Sequence, residues 1–138
     1  MKKEPALNDF ASLAQAAMAA RNMSYSPYSG FKVGAALLTK CGAVFTGCNI
    51  ESAAYSPTNC AERTAIFKAV SEGYKEFEAI AIAGSGQDYC YPCGVCRQVL
   101  KEFAVDSLQV VIVKTETDYK VHTLGELFPH GFGPENLA

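Results

Sequence analysis

The sequence predicts an α/β fold in which helices cover a sheet of mixed direction. Three observations carry this. Two apolar runs, Val33–Leu38 and Ala43–Cys48, flank a short connection with Gly42, the arrangement of a β-hairpin. Beyond the hairpin, strand-length apolar runs alternate with helix-forming stretches as far as Lys114. Right-handed crossovers then make the later strands parallel, while the hairpin keeps the sheet mixed.

Size and charge narrow the class. At 138 residues and 14.8 kDa, the chain has room for one domain, 1–138. Folding at this size buries roughly two thirds of the unfolded surface, enough for a core without disulfide staples. Six cysteines are too few for a secreted disulfide scaffold and need another explanation. Twelve basic against fourteen acidic residues, with no long run of one sign, exclude a phosphate-tracking surface. No apolar run reaches membrane-spanning length, and Lys2, Lys3, Glu4 and Pro5 do not open a secretory signal. The expectation is a soluble cytoplasmic protein with no nucleic-acid or membrane partner.

In chain order, Asn8 caps a helix whose apolar residues Phe10, Leu13, Ala14, Ala17 and Met18 form one stripe. Ser24–Gly30, with Pro27 and Gly30, is loop, and the hairpin follows. A polar stretch, Asn49–Asn59, feeds a helix over Ala61–Glu72, with Gly73 as its C-cap. Glu78–Ala83 reads as a buried strand, Gly94–Phe103 as a helix and Leu108–Lys114 as a strand. The tail from Phe128, with Pro129, Gly131, Gly133 and Pro134, becomes ordered only by docking. The small face Ala61, Ala65 and Ala69 suits close approach to another element or another subunit.

The chemistry sits at two helix starts. Cys60-Ala61-Glu62 opens one helix and Pro92-Cys93-Gly94-Val95-Cys96 the next, each at the end of a strand-to-helix loop on one sheet edge. Two positive helix ends and three thiols favour thiolate ligation of a soft cation, and zinc fits. Glu62 lies within the first turn, close to the metal without being a ligand, so the fourth position stays open for catalysis. Cys90 leaves an alternative: with Cys60, Cys93 and Cys96 it closes a four-thiolate site, structural and inert. Cys41 and Cys48 read as small core residues, Arg97 as a helix-surface charge, and His122 and His130 as structural or solvent-facing.

Cys60-Ala61-Glu62 with Pro92-Cys93-Gly94-Val95-Cys96 follows the zinc nucleobase-deaminase pattern. Adding Tyr25–Leu37, Asn49-Ile50-Glu51, Arg63, Arg97 and Gln98, the chain resembles the small homotetrameric cytidine deaminases over nearly its whole length. That resemblance implies a three-layer α/β/α sandwich with a mixed five-stranded sheet. It implies one Zn2+ per subunit on Cys60, Cys93 and Cys96, with Glu62 shuttling protons. Asn49 and Glu51 would bond the ribose hydroxyls and Phe31 would pack beside pyrimidine and ribose. Ala53, Tyr55 and Phe132 would reach sites shared between the subunits of a homotetramer.

The implied reaction is hydrolysis of cytidine and deoxycytidine to uridine and deoxyuridine with release of ammonia, a step of pyrimidine salvage. Three thiolates leave a zinc centre with negative formal charge, so Arg63 is expected to donate to a ligating thiolate and restore acidity. A buried Glu51 wants a hydroxyl donor and repels phosphate, which favours nucleosides over nucleotides. A blasticidin-type deaminase shares the size and zinc motif, but Phe31 and Asn49-Ile50-Glu51 speak against it. A nucleic-acid-editing deaminase would carry His at Cys60 and a basic groove.

Overall fold

The structure is a computed structural model and describes residues 10–137. Helix α1 spans Ala11–Ala20, and strands β1 (Val33–Thr39) and β2 (Val44–Cys48) form the hairpin. Then come α2 (Ala61–Ser71), β3 (Phe77–Gly84), α3 (Gly94–Phe103), β4 (Gln109–Thr115), β5 (Asp118–Thr123) and the short α4 (Leu124–Leu127). Asn8, the expected cap of α1, lies outside the described residues. The other predicted boundaries fall within one residue of those observed. Gly42 and Gly73 take the positive φ that the hairpin turn and the α2 C-cap require, 98° and 96°.

The sheet order is β2-β1-β3-β4-β5. β3 and β4 pair in parallel, as the crossover rule predicts, and the other pairs are antiparallel. Each face carries its own core. Phe10, Leu13, Ala14 and Ala17 of the α1 region cover Ala36, Ala79, Ala81, Val111 and Val113. On the opposite face, α2, α3 and α4 cover Ala35, Leu37, Ile80, Ile82, Val110 and Ile112. These are the three layers. Among the described residues no helix is long and apolar enough to cross a membrane.

Two glycines in the hairpin set how closely the helices approach. A methyl at Gly34 would run into the backbone of Ala17 and Arg21, at the end of α1. A methyl at Gly47 would lie 2.5 Å from the Ala65 nitrogen and 2.6 Å from the Ala61 oxygen. The small face of α2 is therefore used inside the chain's own core, where Ala61, Ala65 and Ala69 are fully buried. It is not available to a second subunit.

Two expectations are corrected, and one strand is added. Cys41 is exposed in the hairpin turn rather than buried. Arg97 is not a free surface charge: its Nε donates to the Pro92 carbonyl (2.8 Å) and its Nη1 to the Leu127 carbonyl (2.6 Å), tying the start of α3 to α4. β5, not located in the sequence, forms the sheet edge beside β4. The tail does dock. Gln98 Nε2 donates to the Phe132 carbonyl (2.7 Å), and Lys101 pairs with Glu135 (3.0 Å) and Asp106 (3.3 Å).

Candidate active site

β2 and β3 run in the same direction on either side of β1, so the loops leaving their C-terminal ends emerge at one end of the sheet. One loop leads to Cys60, the N-cap of α2, and the other to Cys93, the N-cap of α3. The first loop is stitched rather than slack: Ile50 and Asn59 exchange backbone hydrogen bonds at 2.9 Å each. At the helix start the Thr64 hydroxyl donates to the Cys48 carbonyl (3.0 Å), fixing α2 to the end of β2.

The sulfurs of Cys60, Cys93 and Cys96 all lie within 4.8 Å of one another. Cys60 Sγ and Cys93 Sγ are 3.8 Å apart, and the Cys96 amide donates to Cys93 Sγ at 3.4 Å. Cys90 does not join this group, so the four-thiolate alternative loses its fourth sulfur. Its thiol is pushed up to about 11, first by burial and then by the charges of Glu62 and Cys60. No disulfide links any of the six cysteines.

Electrostatics favour a thiolate at this point. The Cys60 thiol is brought down to about 5 by the hydrogen bond from Cys96, with Arg63 and Cys93 adding to it against burial. Cys96, which donates in that pair and is buried, is held well above the usual thiol range. Arg63 Nη2 donates to Cys60 Sγ at 3.3 Å. Burial opposes the Arg63 charge, yet its bonds to Cys60 and Cys96 raise its affinity for the proton. Its Nε is buried with no acceptor among the described residues, a spare donor. Three convergent thiols, two helix N-termini and an adjacent guanidinium suit a soft divalent cation.

Glu62 is 4% exposed, in the first turn of α2. Burial, reinforced by the charge of Cys60, lifts its carboxyl to about 7. A carboxyl in that range takes and gives protons near neutrality.

The other residues expected at the site lie mostly at the surface of the single chain. Asn49 is buried, its Nδ2 donating to the Phe31 carbonyl (2.9 Å) and its Oδ1 accepting from the Val33 amide (2.9 Å) and the Ser24 hydroxyl (2.5 Å). Glu51 is half-buried in the single chain rather than buried. Its Oε1 accepts from the amides of Tyr28 (3.0 Å) and Ser29 (3.1 Å), and its Oε2 from the Ser29 hydroxyl. Phe31 is 41% exposed, Tyr55 73% and Phe132 56%, and Ala53 is exposed as well. Tyr55 holds a positive φ of 65°, unusual outside glycine. Sequence reasoning missed Ser24 and Ser29, which orient Asn49 and Glu51; short hydroxyl residues in a loop give no signal of their partners.

Comparison with known proteins agrees with this geometry. Residues 8–112 match the family model described as the cytidine and deoxycytidylate deaminase zinc-binding region. A cytidine deaminase of Sporosarcina psychrophila is 48% identical over 119 residues, 86% of this chain and 88% of that protein. One from Halalkalibacterium halodurans is 46% identical over 125 residues, 91% of this chain and 95% of that protein. The crystal structure of a cytidine deaminase from Burkholderia pseudomallei superposes with a TM-score of 0.83 at 50% identity, covering 88% of this chain and 97% of that one.

Proposed function

The chain belongs to the cytidine and deoxycytidylate deaminase family, and from that premise we propose that it hydrolyses cytidine and deoxycytidine to the uracil nucleosides and ammonia, as a single domain in cytoplasmic pyrimidine salvage. Its cofactor is zinc. Cys60, Cys93 and Cys96 would hold the ion, which supplies Lewis acidity that lowers the pKa of water. The observation that carries the reading is the buried carboxyl of Glu62 beside that trio, held at about 7.

Glu62 takes a proton from the attacking water and delivers it to N3 of cytosine, which makes C4 electrophilic. The hydroxyl adds to C4 with the C4–O bond forming. The new C4 hydroxyl then gives up its proton, which passes to the exocyclic nitrogen; the C4–N bond breaks to release ammonia as the C4=O double bond forms. Arg63 acts on the sulfur side: its bond to Cys60 withdraws charge from a thiolate and so sustains the acidity that Glu62 exploits.

Binding falls to the other residues expected at the site. Glu51 stays ionised because Ser29 and the backbone donate to it, and it accepts from a ribose hydroxyl. Asn49 uses one Nδ2 proton on Phe31, leaving the other for the same sugar edge. Phe31 lies beside pyrimidine and ribose. A phosphate next to Glu51 would be repelled, so nucleosides are favoured over nucleotides. Ala53, Tyr55 and Phe132, all exposed, would meet neighbouring subunits in a homotetramer whose sites are shared.

The test measures ammonia release from cytidine, deoxycytidine, cytidine 5'-monophosphate and blasticidin S by the zinc-loaded protein. Turnover of the two nucleosides well above the others is expected. Preference for the monophosphate or for blasticidin S would overturn the assignment.

A further inference from the structure

The end of β3 and the start of β1 form a feature that the reaction chemistry does not use. The Phe31 ring lies close against Gly84 and Gly86. A methyl at Gly84 would lie 2.7 Å from Phe31 Cζ and 3.1 Å from its Cε2, and one at Gly86 would lie 3.3 Å from Phe31 Cε1. Between them, the Ser85 hydroxyl accepts from the Lys32 amide at 2.9 Å, locking the two segments in register.

The backbone beneath the ring cannot retreat. Gly84 is paired with Val33 in the sheet, and its carbonyl accepts from Arg21 Nη1 at 2.7 Å. Cys90 Cβ would be 3.0 Å from the same Gly84 methyl. Phe31 is 41% exposed, so the ring can yield toward solvent. Gly84 has no positive φ, so its lack of a side chain answers to space and not to backbone conformation.

We propose that Gly84 is a positioning residue for substrate: the notch it leaves, pinned by Arg21, seats Phe31 at the depth at which its ring packs beside the nucleoside. This rests on the reading of Phe31 as substrate-facing. Adding one methyl at Gly84 would push the ring outward into the space the nucleoside occupies. Neither Glu62 nor any of Cys60, Cys93 and Cys96 is among the atoms that methyl would meet first.

The test compares Gly84→Ala, Phe31→Ala and the double variant by KM and kcat for cytidine, with thermal unfolding as a control. The atom a Gly84 methyl meets first is the tip of the Phe31 side chain, which can give way, so Gly84→Ala should unfold close to the parent temperature. Its KM should rise about five- to tenfold with kcat nearly unchanged, the signature of lost binding rather than lost chemistry. In the Phe31→Ala background, where no ring remains to displace, the Gly84 substitution should have no further effect. If Phe31→Ala raises KM and Gly84→Ala does not, or if the two effects simply add, the seating role is wrong. If Phe31→Ala itself leaves KM unchanged, the reading of Phe31 as substrate-facing fails instead.

Discussion

The sulfurs of Cys60 and Cys93 lie 3.8 Å apart although 33 residues separate them in sequence. Topology closes that gap. Each cysteine N-caps a helix that follows one of two like-directed strands, and the glycine at 47 lets α2 settle on the hairpin closely enough to bring its first turn over the sheet end. The same turn carries Glu62, so metal site and proton carrier are placed by one packing event.

Cys90 lies outside the trio, and its thiol is held protonated by burial and by neighbouring negative charge. Cys90→Ser should keep about one zinc per chain, the stoichiometry of an open three-ligand site, while Cys96→Ser should lose most of it. Metal analysis after dialysis decides this; equal loss in both variants would restore the four-sulfur centre.

Among the described residues, Arg63 is the cation whose side chain bonds a thiol of the trio. Arg63→Gln should lower kcat about 10- to 100-fold, the usual effect of removing an outer partner of a metal ligand. Less charge withdrawn from the sulfurs makes water harder to ionise, so the acid limb of the rate profile should move to higher pH. Unchanged zinc content and an unchanged profile would contradict the role.

Glu51 is kept below the ordinary glutamate range chiefly by the Ser29 hydroxyl, with the Ser29 and Tyr28 amides also contributing against desolvation. A lowered pKa means that the ionised acceptor persists as pH falls past the usual carboxylate range and is lost only on passing the lowered value. The KM of cytidine should therefore stay flat into acid and then rise, and Ser29→Ala should bring that rise to higher pH. Identical onsets in KM–pH profiles of the two proteins would remove Ser29 from this account.

Gly47→Ala forces a methyl against the backbone of Ala61 and Ala65. Overpacking of this kind costs about 1–3 kcal/mol. Denaturant titration should show a lower midpoint, with zinc affinity reduced as well because α2 carries Cys60. An unchanged midpoint would mean that the hairpin yields.

Much of this was legible in the residues. Gly42 and Gly73 announced a turn and a cap because a positive φ leaves few other choices, and Cys60, Glu62, Cys93 and Cys96 stood out because their spacing has chemical meaning. β5 did not. Asp118, Lys120 and His122 alternate with Tyr119, Val121 and Thr123, and an edge strand with so much polarity lacks the apolar run that marks its neighbours. Arg97 was misread for a related reason: its partner, the Leu127 carbonyl, is distant in sequence, and no local pattern names it. Glu51 was expected to be buried, but burial belongs to the assembled surroundings of a loop and not to its sequence.

The central claim is that Glu62 moves the protons at an open metal site, and Glu62→Gln tests it most directly. Ammonia release from cytidine should fall by about 10³-fold or more, within the range expected for losing a general acid–base, while zinc stays near one per chain and thermal stability does not drop, since an uncharged amide avoids the burial cost that raises the carboxyl's pKa. Turnover within a few-fold of the parent in a fully metallated Glu62→Gln protein would contradict the account.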